Sequence, residues 1–137
     1  VHRDPVRVFM SMRQFYFKLL DVLALQDYDQ SIINDLVLET YPRMMDKLEA
    51  DAANLPAGDY VEIPYQDLDD APLEQIRRIY ESLGVEGFDE DRPAMQRYLD
   101  SQKTYRKNTH ELPEDLQRRV EQRWARYIER YGSRRAA

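Results

Sequence analysis

The chain has no cysteine among its 137 residues, which removes disulfide frameworks and thiolate metal sites from consideration. That absence fits a reducing compartment, and a cytoplasmic protein is expected. Nowhere does an apolar run approach the ~20 residues that a bilayer-spanning helix needs. No apolar leader opens the chain, and there are no internal repeats or low-complexity stretches. An excess of positive charge is lacking too. With 20 Lys and Arg against 26 Asp and Glu, the formal net charge is −6, which argues against general nucleic-acid binding. The two histidines, His2 and His110, have no acidic or Cys partner at metal-ligand spacing, so no metal site is predicted.

What remains is a soluble, globular-type composition, 34% charged and 42% hydrophobic, long enough for one modest domain. Asp4-Pro5 reads as a helix start, with a side-chain acceptor before a proline at the first helical position. That helix is predicted to run to about Leu25. Its main apolar stripe is Val8, Met12, Phe15, Tyr16, Leu19, Leu20 and Leu23; Val6, Met10 and Phe17 form a second patch. A second helix is predicted from about Gln30 to Ala53, with Ile32, Ile33, Leu36, Val37, Thr40, Tyr41, Met44, Met45 and Leu48 along its seam. Pro42 falls inside it and should free the carbonyl near Leu38 and kink the helix.

Leu55 to Asp59 reads as a turn, and Tyr60 to Tyr65 as a short edge strand limited by Pro64. Asp70-Ala71-Pro72 starts a third helix, with Leu73, Ile76, Ile79, Tyr80 and Leu83 inward and Gly84 closing it. A short helix over about Asp91 to Gln102 and a basic loop follow. The last helix begins at Pro113, with Leu112, Leu116, Val120, Trp124, Tyr127, Ile128 and Tyr131 at helical spacing. One strand and a strand stub cannot pair their own backbone groups, so the parent is expected to be an α/β sheet with helices on both faces.

The chemistry gathers at the start of the chain. Arg3 precedes a proline-started helix that carries Ser11, giving a guanidinium, helix-start N–H groups and a hydroxyl near one another, a combination suited to a phosphate. Far along the chain, Arg106 and Lys107 offer two more cations. Arg7, one turn before Ser11, reads as a surface charge. Each residue also has an ordinary reading: Arg3 paired with a carboxylate, Ser11 facing solvent, Tyr65 as one of ten packing tyrosines.

Three segments resemble the sulfotransferases that use 3′-phosphoadenosine 5′-phosphosulfate, and more closely the bacterial members with a helical C-terminal region. The first is His2-Arg3-Asp4-Pro5-Val6-Arg7-Val8-Phe9-Met10-Ser11. By that resemblance Arg3 and Ser11 hold the donor's 3′-phosphate. The second is Val61-Glu62-Ile63-Pro64-Tyr65-Gln66-Asp67-Leu68 with the helix after it, which implies that Tyr65 lies near the adenine. Gln66 and Pro64 depart from the family's usual residues there. The third is Tyr105-Arg106-Lys107-Asn108 ahead of Glu111-Leu112-Pro113, similar to a late basic loop over the 3′-phosphate.

The resemblance implies a P-loop-type α/β parent fold and transfer of a sulfuryl group from that donor to a hydroxyl or amine. Residues 1–137 would be the mostly helical C-terminal part of a single sulfotransferase domain, with 132–137 as a frayed tail. The glycine-rich loop for the 5′-phosphosulfate and the residue assisting the acceptor are expected upstream of Val1. The fragment by itself is therefore expected to be inactive. Self-association is left open by its uncovered seams. The readings from other classes are a non-enzymatic helical interaction module and a relative of the nucleotide kinases.

Overall fold

Asp4 and Pro5 begin the first helix where local chemistry says they should. Helix α1 (Pro5–Leu23) is capped by the Asp4 carboxylate, whose Oδ1 accepts from the Arg7 backbone N–H at 3.1 Å. The computed structural model describes residues 1–102 and 112–132. After α1 come α2 (Gln30–Ala52), α3 (Tyr65–Asp70), α4 (Pro72–Leu83), α5 (Phe88–Ser101), α6 (Glu114–Arg123) and α7 (Ala125–Tyr131). These fall into two units. One holds residues 3–53 and 112–132 of the described chain, the other residues 1–2 and 54–102.

In the first unit α1 packs against α2, α6 and α7. Three contact directions explain why α1 is apolar on more than one side. Its inward face centres on Phe9, which is fully buried, with Val6, Val8, Tyr16, Phe17 and Leu20 beside it. The predicted stripe is thus only partly right, since Met12, Phe15 and Leu23 are exposed. Likewise α2 buries Ile33, Val37, Leu38, Tyr41 and Met45, while Ile32, Leu36, Met44 and Leu48 lie open. Periodicity supplies a stripe of about the right width; which edge of it turns inward depends on the neighbour.

Pro42 shows how a local defect is resolved by a distant residue. Lacking an N–H, it cannot bond the carbonyl four residues back, and α2 nevertheless runs through it from Gln30 to Ala52. The freed Leu38 carbonyl accepts the indole N–H of Trp124 at 3.1 Å. Trp124 is fully buried, stacked on Tyr41 with ring centroids 4.2 Å apart and edge-on to Phe9 at 5.5 Å. Its backbone also breaks the single predicted last helix into α6 and α7, at φ −110° and ψ 16°. The backbone bonds either side are kept, with the Trp124 N–H on the Val120 carbonyl at 2.8 Å and the Ile128 N–H on the Trp124 carbonyl at 2.9 Å.

Along the outside, arginines of α6 and α7 meet carboxylates of α2 in ascending order. Arg119 pairs with Asp35 at 2.8 Å, Arg123 with Glu39 at 2.5 Å and Arg126 with Glu49 at 2.6 Å. Exposed pairs of this kind contribute about 0–1 kcal/mol each. They fix the register of α6–α7 along α2 more than they stabilise it.

The tyrosines of this core predict an alkaline limit. Burial pushes Tyr41 up to about 12, and burial with the Asp46 hydrogen bond at 2.6 Å does the same for Tyr127. Both protons leave the unfolded chain at lower pH than the folded one. Their contribution is therefore complete below pH ~10 and is lost as pH rises towards ~12. Denaturant midpoints should fall steadily across that window, in step with tyrosinate absorbance. Tyr127→Phe should flatten the fall, and a profile unchanged by that substitution would contradict the assignment.

In the second unit, the predicted strand over Tyr60 to Tyr65 is not formed. Among the described residues, one parallel bridge, His2 to Pro64, stands in its place. The His2 N–H bonds the Ile63 carbonyl at 3.0 Å, and the Tyr65 N–H bonds the His2 carbonyl at 2.7 Å. Pro64 has no N–H to extend the ladder, and Tyr65 already opens α3, a turn the sequence reading passed over. Helix α4 matches expectation, ending at Gly84 in the left-handed region with φ 64°. Its apolar residues are half-buried rather than enclosed, and Leu83 is exposed. Helix α5 starts at Phe88, three residues before the predicted Asp91, after Gly87 at φ 91°. Phe88 is the reason: it is buried, edge-on to Tyr80 at 5.6 Å with Arg77 above it at 4.4 Å.

Candidate functional site

The junction before α1 holds the first candidates. Arg3 is half-buried and immediately precedes the Asp4 cap. Of the helix-start N–H groups expected to be available, Pro5 has none and that of Arg7 is taken by Asp4. The Val8 N–H already makes the first helical bond, to the Asp4 carbonyl at 3.0 Å. Backbone donors are therefore fewer than the sequence suggested, and an anion here must be held mainly by side chains.

Ser11 is exposed, and its hydroxyl makes no hydrogen bond to another described residue. It is not back-bonded to its own helix, the ordinary use of a mid-helix serine. It stands six residues beyond Pro5, which at 1.5 Å per residue is about 9 Å up the axis. An extended arginine at the junction is long enough to cover that distance from the other side of a phosphate.

Arg7 lies four residues before Ser11 and four after Arg3, so it shares the Ser11 face of the helix. Its guanidinium is exposed and forms no ion pair or hydrogen bond with another described residue. The sequence reading set it aside as a surface charge. A signal was available, however: no Asp or Glu occurs between Asp4 and Asp21.

Tyr65 belongs to the other unit, at the first residue of α3, and is half-buried. Arg106, Lys107 and Asn108 lie outside the described residues, as does His110. The hollow at the α1–α2 turn, of about 750 Å³, is lined by Leu20, Tyr28, Asp21 and Asp27 among others and by no cation. Two carboxylates make it a poor place for a phosphate.

Comparison with known proteins decides the family. A model of the sulfotransferase family matches residues 1–90. The chain belongs to the sulfotransferase family. The matched stretch contains Arg3, Ser11 and Tyr65, and so two of the three segments that suggested the resemblance. Similarity to individual sulfotransferases reaches further along the chain. The omega-hydroxy-beta-dihydromenaquinone-9 sulfotransferases Stf3 of Mycobacterium bovis and Mycobacterium tuberculosis are each 29% identical to it over 130 residues, 95% of this chain. The chain spans about a third, 34%, of the length of these curated relatives. No solved structure matches significantly. Among the described residues of this sulfotransferase-family chain, no helix is long and apolar enough to cross a membrane.

Proposed function

We propose that the chain supplies the nucleotide end of a donor site in a sulfotransferase of α/β, P-loop-type parent fold. Its donor is 3′-phosphoadenosine 5′-phosphosulfate and its acceptor a hydroxyl group. The observation that carries this is the family match over residues 1–90, which contains Arg3 at the start of α1 and Ser11 further along it. In this reading Arg3 and the Ser11 hydroxyl grip the 3′-phosphate. Tyr65 lies against the adenine, and Arg106, Lys107 and Asn108 add donors to the phosphate. A hydroxyl acceptor is preferred to an amine because the Mycobacterium relatives are named for an omega-hydroxy compound.

The reaction is an in-line displacement at sulfur. The acceptor oxygen forms a bond to sulfur while the bond from sulfur to the bridging 5′-phosphate oxygen breaks. The acceptor's proton leaves, and 3′-phosphoadenosine 5′-phosphate departs carrying the bond's electron pair. This chain's part is positional. Binding the remote 3′-phosphate converts its interaction energy into a fixed placement of the sulfuryl group.

Calorimetric titration of the full-length polypeptide tests the reading. Its affinity for 3′-phosphoadenosine 5′-phosphate should exceed that for adenosine 5′-phosphate by about tenfold or more, without Mg²⁺. Equal affinities would overturn it, and preference for a Mg²⁺-bound triphosphate would point to a kinase-like site instead.

A further inference from the structure

We propose that Arg7 is a further side-chain ligand of the donor's 3′-phosphate, acting beside Ser11 on one face of α1. This rests on the donor-site reading above and adds a residue to it. The argument begins with charge. In a chain of net charge −6, the stretch from Pro5 to Leu20 carries Arg7, Arg13 and Lys18 and no carboxylate. Such a stretch is an island of positive charge on an acidic protein.

Within that island the cations differ in what they do. Arg13 is occupied, its Nε donating to Asn34 Oδ1 at 2.8 Å and its guanidinium lying 4.4 Å from the Phe17 ring centre. In the same unit Arg119, Arg123 and Arg126 each answer a carboxylate of α2. Arg7 answers none among the described residues, and neither do Lys18 and Arg43, but of these three Arg7 is the one in the first turn of α1, four residues before Ser11. The nearby Asp4 carboxylate accepts from the Arg7 backbone N–H, in the service of the cap.

Position sharpens the point. Arg7 sits in the first turn of α1, the positive end of the helix dipole, where a cation is disfavoured. Sequences that break a local rule without a compensating contact tend to do so at sites of function. A bound dianion removes both liabilities, because it answers the guanidinium and the helix end together. A phosphate carrying close to two negative charges can take several charge-assisted bonds, so Arg7 adds to the donors already assigned to it. Residues four apart on a helix stand about 5–6 Å apart at Cβ, so the Arg7 guanidinium and the Ser11 hydroxyl can reach one phosphate group.

The test uses the full-length polypeptide, titrated with 3′-phosphoadenosine 5′-phosphate and with adenosine 5′-phosphate. Arg7→Ala should weaken the first about tenfold and leave the second within twofold, and Arg7→Lys should recover part of the loss. The thermal midpoint should not fall, because the side chain is exposed. If Arg7→Ala leaves both affinities unchanged while Arg3→Ala removes the 3′-phosphate preference, Arg7 is a surface charge and the donor site stands without it. Equal weakening towards both nucleotides would also overturn the proposal, as a diffuse effect of charge. If Arg3→Ala too leaves the preference intact, the donor-site reading fails with it.

Discussion

Trp124→Ala is expected to destabilise the unit built from α1, α2, α6 and α7 by about 3–5 kcal/mol. The side chain is fully buried, so its removal leaves a cavity among Phe9, Tyr41 and their neighbours. It also strips the Leu38 carbonyl of the indole donor in a helix where Pro42 cannot replace it. The two contributions can be separated. Trp124→Phe keeps most of the ring packing and loses the hydrogen bond, and should cost about 1–3 kcal/mol. Chemical denaturation followed by far-ultraviolet circular dichroism measures both, since Trp124 is the one tryptophan and its fluorescence is lost with it. A Trp124→Phe variant as stable as the parent would show that the Leu38 bond contributes nothing.

Arg3→Ala should be the most damaging change to donor binding. A guanidinium on a phosphate makes charge-assisted bonds worth about 1.5–3 kcal/mol, or roughly a ten- to 150-fold loss of affinity. The loss should appear only with nucleotides that carry a 3′-phosphate. It should shrink as salt is raised, because competing anions and screening already weaken the parent there. Arg3→Lys should restore charge without the planar fork and recover only part of the affinity. If Arg3→Ala binds 3′-phosphoadenosine 5′-phosphate as the parent does, the 3′-phosphate is held elsewhere. Circular dichroism should be unchanged in that variant, which separates a lost ligand contact from a lost fold.

The candidate site was legible in unequal parts. Arg3 and Ser11 were singled out as candidates from a local feature, the Asp-Pro helix start, and from the resemblance to the sulfotransferases. The supply of backbone donors could not, because whether Asp4 would occupy the Arg7 N–H is a matter of side-chain geometry. That Arg7 would find no carboxylate partner among the described residues could not be read either, for a related reason. An arginine looks ordinary until its possible partners are known, and those on α6 and α7 found theirs on a helix about 80 residues away.

Sequence alone determined the capped ends. Asp4-Pro5 opens α1, and Gly84 closes α4. Each of these is decided within one turn of chain, by hydrogen bonds and backbone angles that need no distant partner. Pro42 belongs with them, since a missing N–H identifies the orphaned carbonyl without any fold. Only the tertiary structure decided that Trp124 would satisfy it, from 86 residues away, and that the last helix would divide at that residue. It also decided that Phe9 rather than Phe15 turns inward, and that residues 60–64 stop at a single bridge to His2. A helix face is buried, and a strand completed, by whatever packs beside it, and those neighbours come from far along the chain.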